Sequence, residues 1–213
     1  MTNFKIDPNT LLKNYTTNSS KAYEAFDDSS NDIDQIIYTG LFLSSTLSLN
    51  LDIDLYYSVY EDCVAYFASL SKVLLDRNRF PIEKLIYAFD ITLNCPYIIP
   101  RLYMALVIAA SAQNKDQLKL ISEMLSAVAH PLRGLLLRYT AVSIFPKGEE
   151  LADLMVEFAV VNFQEMLHLM PHFLSLYPTS KQMASQWLIS NISISLFRSD
   201  NNPTLVKSFF NAA

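Results

Sequence analysis

Hydrophobic residues recur every three to four positions along most of this chain, with polar residues between them. This spacing places an apolar stripe on one face of a helix. It predicts helices over residues 33–49, 55–75, 82–93, 98–112, 116–128, 131–145, 149–170 and 181–197, and a partial helix over 204–210. Prolines mark several boundaries, because proline is tolerated in the first turn of a helix but not in its interior. The pattern indicates an all-α protein.

Residues 1–31 are rich in Asn, Ser, Thr and Asp, and their apolar positions are only loosely periodic. We therefore expect a polar, weakly helical segment over 1–31 and a single domain over 32–213. Within that domain the predicted helix pairs recur roughly every 35 to 45 residues, the period of HEAT-like and armadillo-like repeats. The sequence thus predicts an α-solenoid of antiparallel helix pairs. Asn31 and Asp32 both offer capping oxygens to the helix that begins at residue 33, and Asp116 is predicted to cap the helix over 116–128.

Composition, charge and cysteine spacing argue against several classes of protein. The hydrophobic share is 51%, but the longest apolar run, 102–112, is shorter than the roughly 18 residues that span a bilayer. A net charge of −5 without a basic cluster argues against nucleic-acid binding. No secretory signal is visible in residues 1–13, which predicts a cytosolic protein. Cys63 and Cys95 have no CxxC spacing and are predicted to be reduced thiols in buried helices.

Two patterns of acidic residues resemble metal-binding sites. Glu165 and His168 have the spacing of two ligands on one helix face, but a di-iron bundle needs a second such pair, and the sequence offers none. Asp27, Asp28 and Asp32 lie in a Ser/Asn-rich stretch, where capping and solvation explain them better than Mg²⁺ binding. Without a catalytic triad or a glycine-rich loop, we expect neither a cofactor nor enzymatic activity.

The first of two short motifs is Pro100-Arg101-Leu102-Tyr103-Met104, which begins a helix that is apolar on nearly every side. Arg101 is the exception. Its charge must reach solvent along the side-chain stem or pair within the chain, because an unpaired buried charge is costly. Alternatively, it anchors a partner through its guanidinium group. The residues alone leave both interpretations open.

The second motif comprises six positions: His130, Pro131, Leu132, Arg133, Gly134 and Arg138. The proline keeps His130 out of helical geometry and marks a helix start. Gly134 lies inside the helix at a cost of about 1 kcal/mol relative to alanine, which indicates close helix packing. Arg133 and Arg138 are about 140° apart around the helix axis. Each is therefore expected to pair locally.

In their order and spacing, these two motifs resemble the N-terminal region of the vacuolar protein sorting-associated protein 35 family, the large α-solenoid subunit of retromer. Tyr56-Tyr57 and Glu123-Met124 add to the likeness. The resemblance implies a non-enzymatic scaffold of the retromer coat, acting in endosomal cargo sorting and retrograde transport to the Golgi. It also implies binding of the arrestin-like retromer subunit. The implied contact residues are Pro100, Arg101, Leu102, Tyr103 and Met104, with Asp116 as a secondary contact.

The same resemblance implies a cytoplasmic protein that reaches endosomal membranes only peripherally, through its partners. Sorting nexin and cargo tails are further implied partners. The metallophosphoesterase-like subunit is not expected, because the family binds it through a C-terminal region; we expect an N-terminal fragment or a reduced paralogue. The second motif is expected to support the site by packing beneath the binding helix. The alternative is a generic α-solenoid interaction module outside retromer.

Overall fold

The computed structural model describes residues 8–27, 32–144, 161–162, 165–166, 168–169, 171–172 and 175–176. Within these residues it contains α1 (Pro8–Asp27), α2 (Ile33–Ser44), α3 (Ile53–Leu74), α4 (Ile82–Leu93), α5 (Ile98–Ala112), α6 (Lys115–Ser126) and α7 (Pro131–Ile144). A 3-10 helix, Ser45–Ser48, extends α2. The described residues contain no strand. The all-α class is confirmed, and α4 and α5 have the predicted bounds.

Asp or Asn side chains cap three of these helices. The Asp32 carboxylate, one of the two predicted candidates, accepts backbone N–H bonds at the start of α2, and the Asp52 carboxylate accepts one at the start of α3. At α6 the cap is Asn114, whose Oδ1 accepts from the N–H groups of Asp116 and Gln117 at 3.0 and 3.1 Å. The prediction that Asp116 caps this helix was wrong. Asn114 has the extended backbone that a cap requires, whereas Asp116 already lies in the first helical turn.

The chain forms two compact units, Met1–Ala112 and Gln113–Ala213. In the first unit α1 packs on α2, α2 packs on α4, and α5 packs on α2, α3 and α4. Contacts of α2 with α4 and of α3 with α5 join each helix to the second one after it, as in stacked helix pairs. The predicted division of the chain at residue 31 stays a prediction.

The core of the first unit is rich in aromatic side chains. The rings of Phe67 and Tyr103 stack with their centroids 5.4 Å apart. A Cβ atom at Gly40 would lie 2.8 Å from Met104 Sδ and 2.9 Å from the Tyr66 hydroxyl oxygen. Because Gly40 has no side chain, α2 comes close to both α3 and α5. This packing holds α5 in place from three sides.

In the second unit, α6 buries Leu118, Ile121 and Leu125, and α7 buries a run from Leu135 to Leu137. The helical residues 161–162, 165–166 and 168–169 fall within the helix predicted over 149–170. The helices predicted over 181–197 and 204–210 lie outside the described residues. None of the described helices is both long and apolar enough to cross a membrane.

Candidate partner-binding site

The first motif occupies the first two turns of α5. Pro100 lies in the opening turn, where a missing backbone N–H costs nothing. The Arg101 N–H donates to the Tyr97 carbonyl oxygen at 3.2 Å, so helical hydrogen bonding already includes Tyr97. The motif therefore begins a helix whose first turn extends one residue before Ile98.

Most of the motif faces inward. Leu102 and Met104 are fully buried, Tyr103 is 1% exposed, and Pro100 is also buried. Tyr103 stacks on Phe67. Buried contacts of this kind contribute through packing and the hydrophobic effect. In this structure these four residues shape and anchor α5, and their side chains lie in the core of the first unit.

Arg101 differs from its neighbours, because it is only half-buried. One guanidinium nitrogen, Nη1, donates to the Leu93 carbonyl oxygen at 3.5 Å, at the limit of a hydrogen bond. Leu93 ends α4, where the helix dipole favours a positive charge. Among the described residues, the buried Nε atom of Arg101 has no hydrogen-bond acceptor. The arginine thus makes one long internal bond and leaves donor capacity unused.

Two exposed apolar residues border Arg101. Tyr97 is 61% exposed and Ile98 is 38% exposed. Sequence reasoning missed both residues, although their positions four and three residues before Arg101 were a readable signal, since such residues are neighbours on a helix. We name these three residues the α5 edge.

Asp116 lies in the first turn of α6, in the second unit, and its side chain is exposed. An acidic group there interacts favourably with the positive end of the helix dipole. This position is compatible with a local electrostatic role and leaves the carboxylate accessible. The first motif lies in the first unit and the second motif in the second.

The second motif opens with a cap on α7. The Nδ1 atom of His130 accepts a hydrogen bond from the Arg133 N–H at 3.4 Å, and the His130 carbonyl oxygen accepts one from the Gly134 N–H at 2.7 Å. Loss of water around the ring lowers the pKa of His130, and the nearby Arg133 charge lowers it further. The neutral imidazole is the form in which Nδ1 can accept this bond.

Arg138 is 1% exposed and links α7 to the end of α6. Its guanidinium donates to the carbonyl oxygens of Leu125, Val128 and Gly134 at 2.9, 3.0 and 3.2 Å. A carboxylate oxygen of Glu165 lies 3.8 Å away. Burial lowers the pKa of Arg138, and this carboxylate opposes the shift. The predicted local pairing of Arg138 is confirmed.

Gly134 makes this arrangement possible. A Cβ atom there would lie 2.7 Å from the Val128 carbonyl oxygen and 2.8 Å from Arg138 Nη1. The close packing predicted at this glycine is therefore present. Leu132 is also buried, while Pro131 and Arg133 are partly exposed. In the second unit, this motif fastens α7 against the carbonyl end of α6.

Other candidate chemistry is accounted for by packing. Glu165 engages Arg138, and no three His, Cys, Asp or Glu side chains in the described residues form a metal-binding group. Cys63 is buried 3.4 Å from the Tyr15 hydroxyl oxygen, and burial raises the pKa of its thiol to about 12. Cys95 is partly exposed in the turn after α4, so its predicted burial in a helix was wrong. That turn starts where the α4 cap, Asn94, ends the helix.

Comparison with known proteins places these features in a family. The family model for vacuolar protein sorting-associated protein 35 matches residues 16–174. The chain is 28% identical over 156 residues to vacuolar protein sorting-associated protein 35B of Arabidopsis thaliana, covering 65% of this chain and 20% of that protein. It is 27% identical over 118 residues to vacuolar protein sorting-associated protein 35 of Dictyostelium discoideum, covering 53% and 15%. The matched region spans a fifth or less of the length of these curated relatives. Since the family match covers well over half of the sequence, the chain belongs to the vacuolar protein sorting-associated protein 35 family.

Proposed function

We propose that this chain is a non-enzymatic scaffold in retromer-type protein sorting, and that it binds an arrestin-like subunit through the start of α5. Family membership supports the sorting role, since both relatives are named for vacuolar protein sorting. In this proposal the chain acts in endosome-to-Golgi transport and associates peripherally with endosomal membranes through its partners. Sorting nexin and cargo tails are further proposed partners, and Asp116 is a proposed secondary contact.

The observation that carries the proposal is the state of Arg101. The side chain is half-buried at the surface end of a helix that is otherwise packed in the core. Its one hydrogen bond within the described residues is long. Arginine is enriched at the centres of protein interfaces because its rigid guanidinium can donate several bonds at once. A partner acceptor would use the donors that the chain itself does not.

The proposal is tested by calorimetric titration of the intact chain with the arrestin-like subunit of the same organism. We expect wild type to bind and Arg101→Ala to weaken binding by about tenfold or more, the loss typical of an interface hot spot. Lys72→Ala, at an exposed position on α3, is the control for an unrelated charge and should bind as wild type. Absence of binding by folded, helical wild type would refute the proposal.

Comparing Tyr103→Ala with Arg101→Ala distinguishes motif residues that stabilise the core from the residue proposed to contact the partner. Removing this buried ring should lower the free energy of unfolding by about 3–5 kcal/mol. Circular dichroism during urea unfolding measures that loss. Arg101→Ala should unfold close to wild type. Equal destabilisation by both substitutions would indicate that Arg101 acts only in folding.

A generic interaction module outside retromer is the second candidate. It is favoured by Tyr38 and Phe42, two aromatic residues one turn apart on α2 that are 60% and 62% exposed. An exposed apolar surface often marks an interaction site. Affinity capture with the intact chain, read by mass spectrometry, distinguishes the two. Recovery of retromer subunits that Arg101→Ala abolishes supports the first candidate, and capture that only Tyr38→Ser abolishes supports the second.

A further inference from the structure

We infer that the α5 edge, Tyr97, Ile98 and Arg101, is the surface that the partner contacts, and that it selects a partner segment carrying a carboxylate beside an apolar side chain. This inference rests on the proposed function and specifies its contact chemistry. It assigns the recognition to two residues outside the motif and leaves the buried residues of the motif to position them.

The three side chains are grouped by helix geometry. The Arg101 N–H bond to the Tyr97 carbonyl closes one helical turn. Residues three and four positions apart are neighbours on a helix surface. Ile98 therefore flanks Arg101 on the helix surface, and Tyr97, whose carbonyl accepts this first helical bond, directly precedes Ile98.

Exposure separates this edge from the rest of the motif. Leu102, Tyr103 and Met104 are at most 1% exposed, so a partner cannot touch them while the first unit keeps its packing. Tyr97 and Ile98 present 61% and 38% of their surfaces. Tyrosine and arginine are both enriched at interface hot spots. The accessible apolar surface at the start of α5 thus lies beside the motif and not within it.

The charge of Arg101 indicates that the partner segment carries a carboxylate. A guanidinium carries five N–H donors, and Arg101 uses one of them in a 3.5 Å bond to a neutral carbonyl oxygen. The described residues provide no carboxylate within 4 Å to balance its charge. A carboxylate supplies two acceptor oxygens in the fork geometry that arginine prefers, and such charge-assisted bonds are stronger than neutral ones. The partner segment that matches the α5 edge therefore has an acidic residue next to an apolar one.

The chain offers matched controls elsewhere in the first unit. Tyr87 on α4 is 50% exposed, against 61% for Tyr97, and Ile86 on α4 is 38% exposed, as is Ile98. Calorimetry with the arrestin-like subunit should show that Tyr97→Ser and Ile98→Ser each weaken binding by about fivefold or more. Tyr87→Ser and Ile86→Ser should leave affinity within about twofold of wild type. Comparable exposure makes the unfolding cost similar within each pair, and thermal unfolding checks this.

The contribution of the Arg101 charge to binding is measured separately, by the salt dependence of the affinity. Arg101→Gln should weaken binding by about tenfold and reduce the dependence of affinity on salt between about 0.05 and 0.5 M, because the screened ion pair is gone. Arg101→Lys should keep the salt dependence and lose part of the affinity. Arg101→Glu should fail to bind wild-type subunit and regain binding with one Asp→Arg or Glu→Arg variant of that subunit.

The outcomes separate this inference from the function on which it rests. If folded wild type does not bind, the proposed function and the inference both fail. If wild type binds but Tyr87→Ser and Ile86→Ser weaken binding as much as the edge substitutions, only the inference fails. An unchanged salt dependence in Arg101→Gln, or no rescue of Arg101→Glu by any acidic-to-Arg variant, likewise overturns the carboxylate assignment.

Discussion

Gly134 and Arg138 lie one turn apart in α7, and the absent side chain of the glycine leaves the space that the guanidinium of Arg138 occupies. A Cβ atom at Gly134 would be 2.8 Å from Arg138 Nη1, and the Gly134 carbonyl oxygen accepts a bond from that same nitrogen at 3.2 Å. The Arg138 guanidinium also donates hydrogen bonds to the carbonyl oxygens of Leu125 and Val128. A buried arginine is tolerated here because these carbonyl groups accept bonds from both of its Nη nitrogens.

Gly134→Ala is expected to destabilise the protein, although alanine favours helices by about 1 kcal/mol. The new methyl group would meet the Val128 carbonyl oxygen at 2.7 Å, and backbone cannot move aside easily. We expect a net loss of about 1–3 kcal/mol in the free energy of unfolding, measured by urea titration. Gly40→Ala is the comparison, because its new methyl group would meet side-chain atoms of Met104 and Tyr66 and no backbone atom, so a smaller loss is expected there. A loss at Gly40 as large as that at Gly134 would contradict this explanation.

Arg138→Met should lower the free energy of unfolding by about 2–3 kcal/mol. The substitution keeps the aliphatic stem but removes the guanidinium donor of the buried Val128 carbonyl oxygen and one of the donors to the Leu125 carbonyl oxygen, which keeps its bond from the Val128 N–H. Lys119→Met, an exposed change of the same charge on α6, should shift stability by less than about 0.5 kcal/mol. Glu165→Gln should cost less than about 1 kcal/mol, since its ion pair is long and its side chain is 43% exposed. A neutral result for Arg138→Met would show that these bonds are dispensable.

The stability of the chain should fall as the pH drops below the ordinary histidine pKa of 6.5, with His130 contributing. The pKa of His130 is lower in the folded state, so the unfolded chain takes up a proton first, and protonation favours unfolding. At higher pH the imidazole is neutral in both states and this effect vanishes. His130→Asn keeps a capping acceptor without titrating. Urea midpoints between pH 5 and about pH 8 should therefore depend less on pH in the variant than in wild type. Parallel pH profiles would refute the assignment.

Asn114→Ala should destabilise α6 more than Asp116→Ala does. Asn114 accepts two backbone N–H bonds, and loss of such a cap typically costs about 1 kcal/mol. Asp116 contributes through the helix dipole, an effect of about 0.3–1 kcal/mol at an exposed site. Urea midpoints measured side by side decide the order. The reverse order would restore the original assignment of the cap to Asp116.

Helix positions were predictable because their signals are local. Periodic apolar residues between Pro81 and Pro96 gave α4 its predicted bounds, and the same pattern did so for α5. The cap of α6 was not predictable in the same way, because Asn114 and Asp116 are both good capping residues. The choice depended on which residue adopts an extended backbone, and the side-chain type alone does not set that.

The candidate site was also predictable only where its signals are local. The sequence identified both motifs and indicated that an arginine in an apolar helix needs a partner. The sequence predicted local pairing for Arg138 and left Arg101 open between an internal role and a partner contact. In the structure the end of α6 supplies Arg138 with its acceptors, while α4 offers Arg101 one distant carbonyl oxygen. Those acceptors come from residues 8 to 13 positions away in the chain, so the sequence pattern does not register them.

The sequence by itself determined the all-α class, the bounds of several helices and, through two short motifs, the family. These properties depend on the order of neighbouring residues, which a sequence states directly. Only the tertiary structure decided that Leu102, Tyr103 and Met104 are core residues and that the accessible surface at α5 begins at Tyr97. Burial is set by which helices pack against a given face, and here α2, α3 and α4 pack against α5, bury most of the motif and leave Tyr97 and Ile98 exposed.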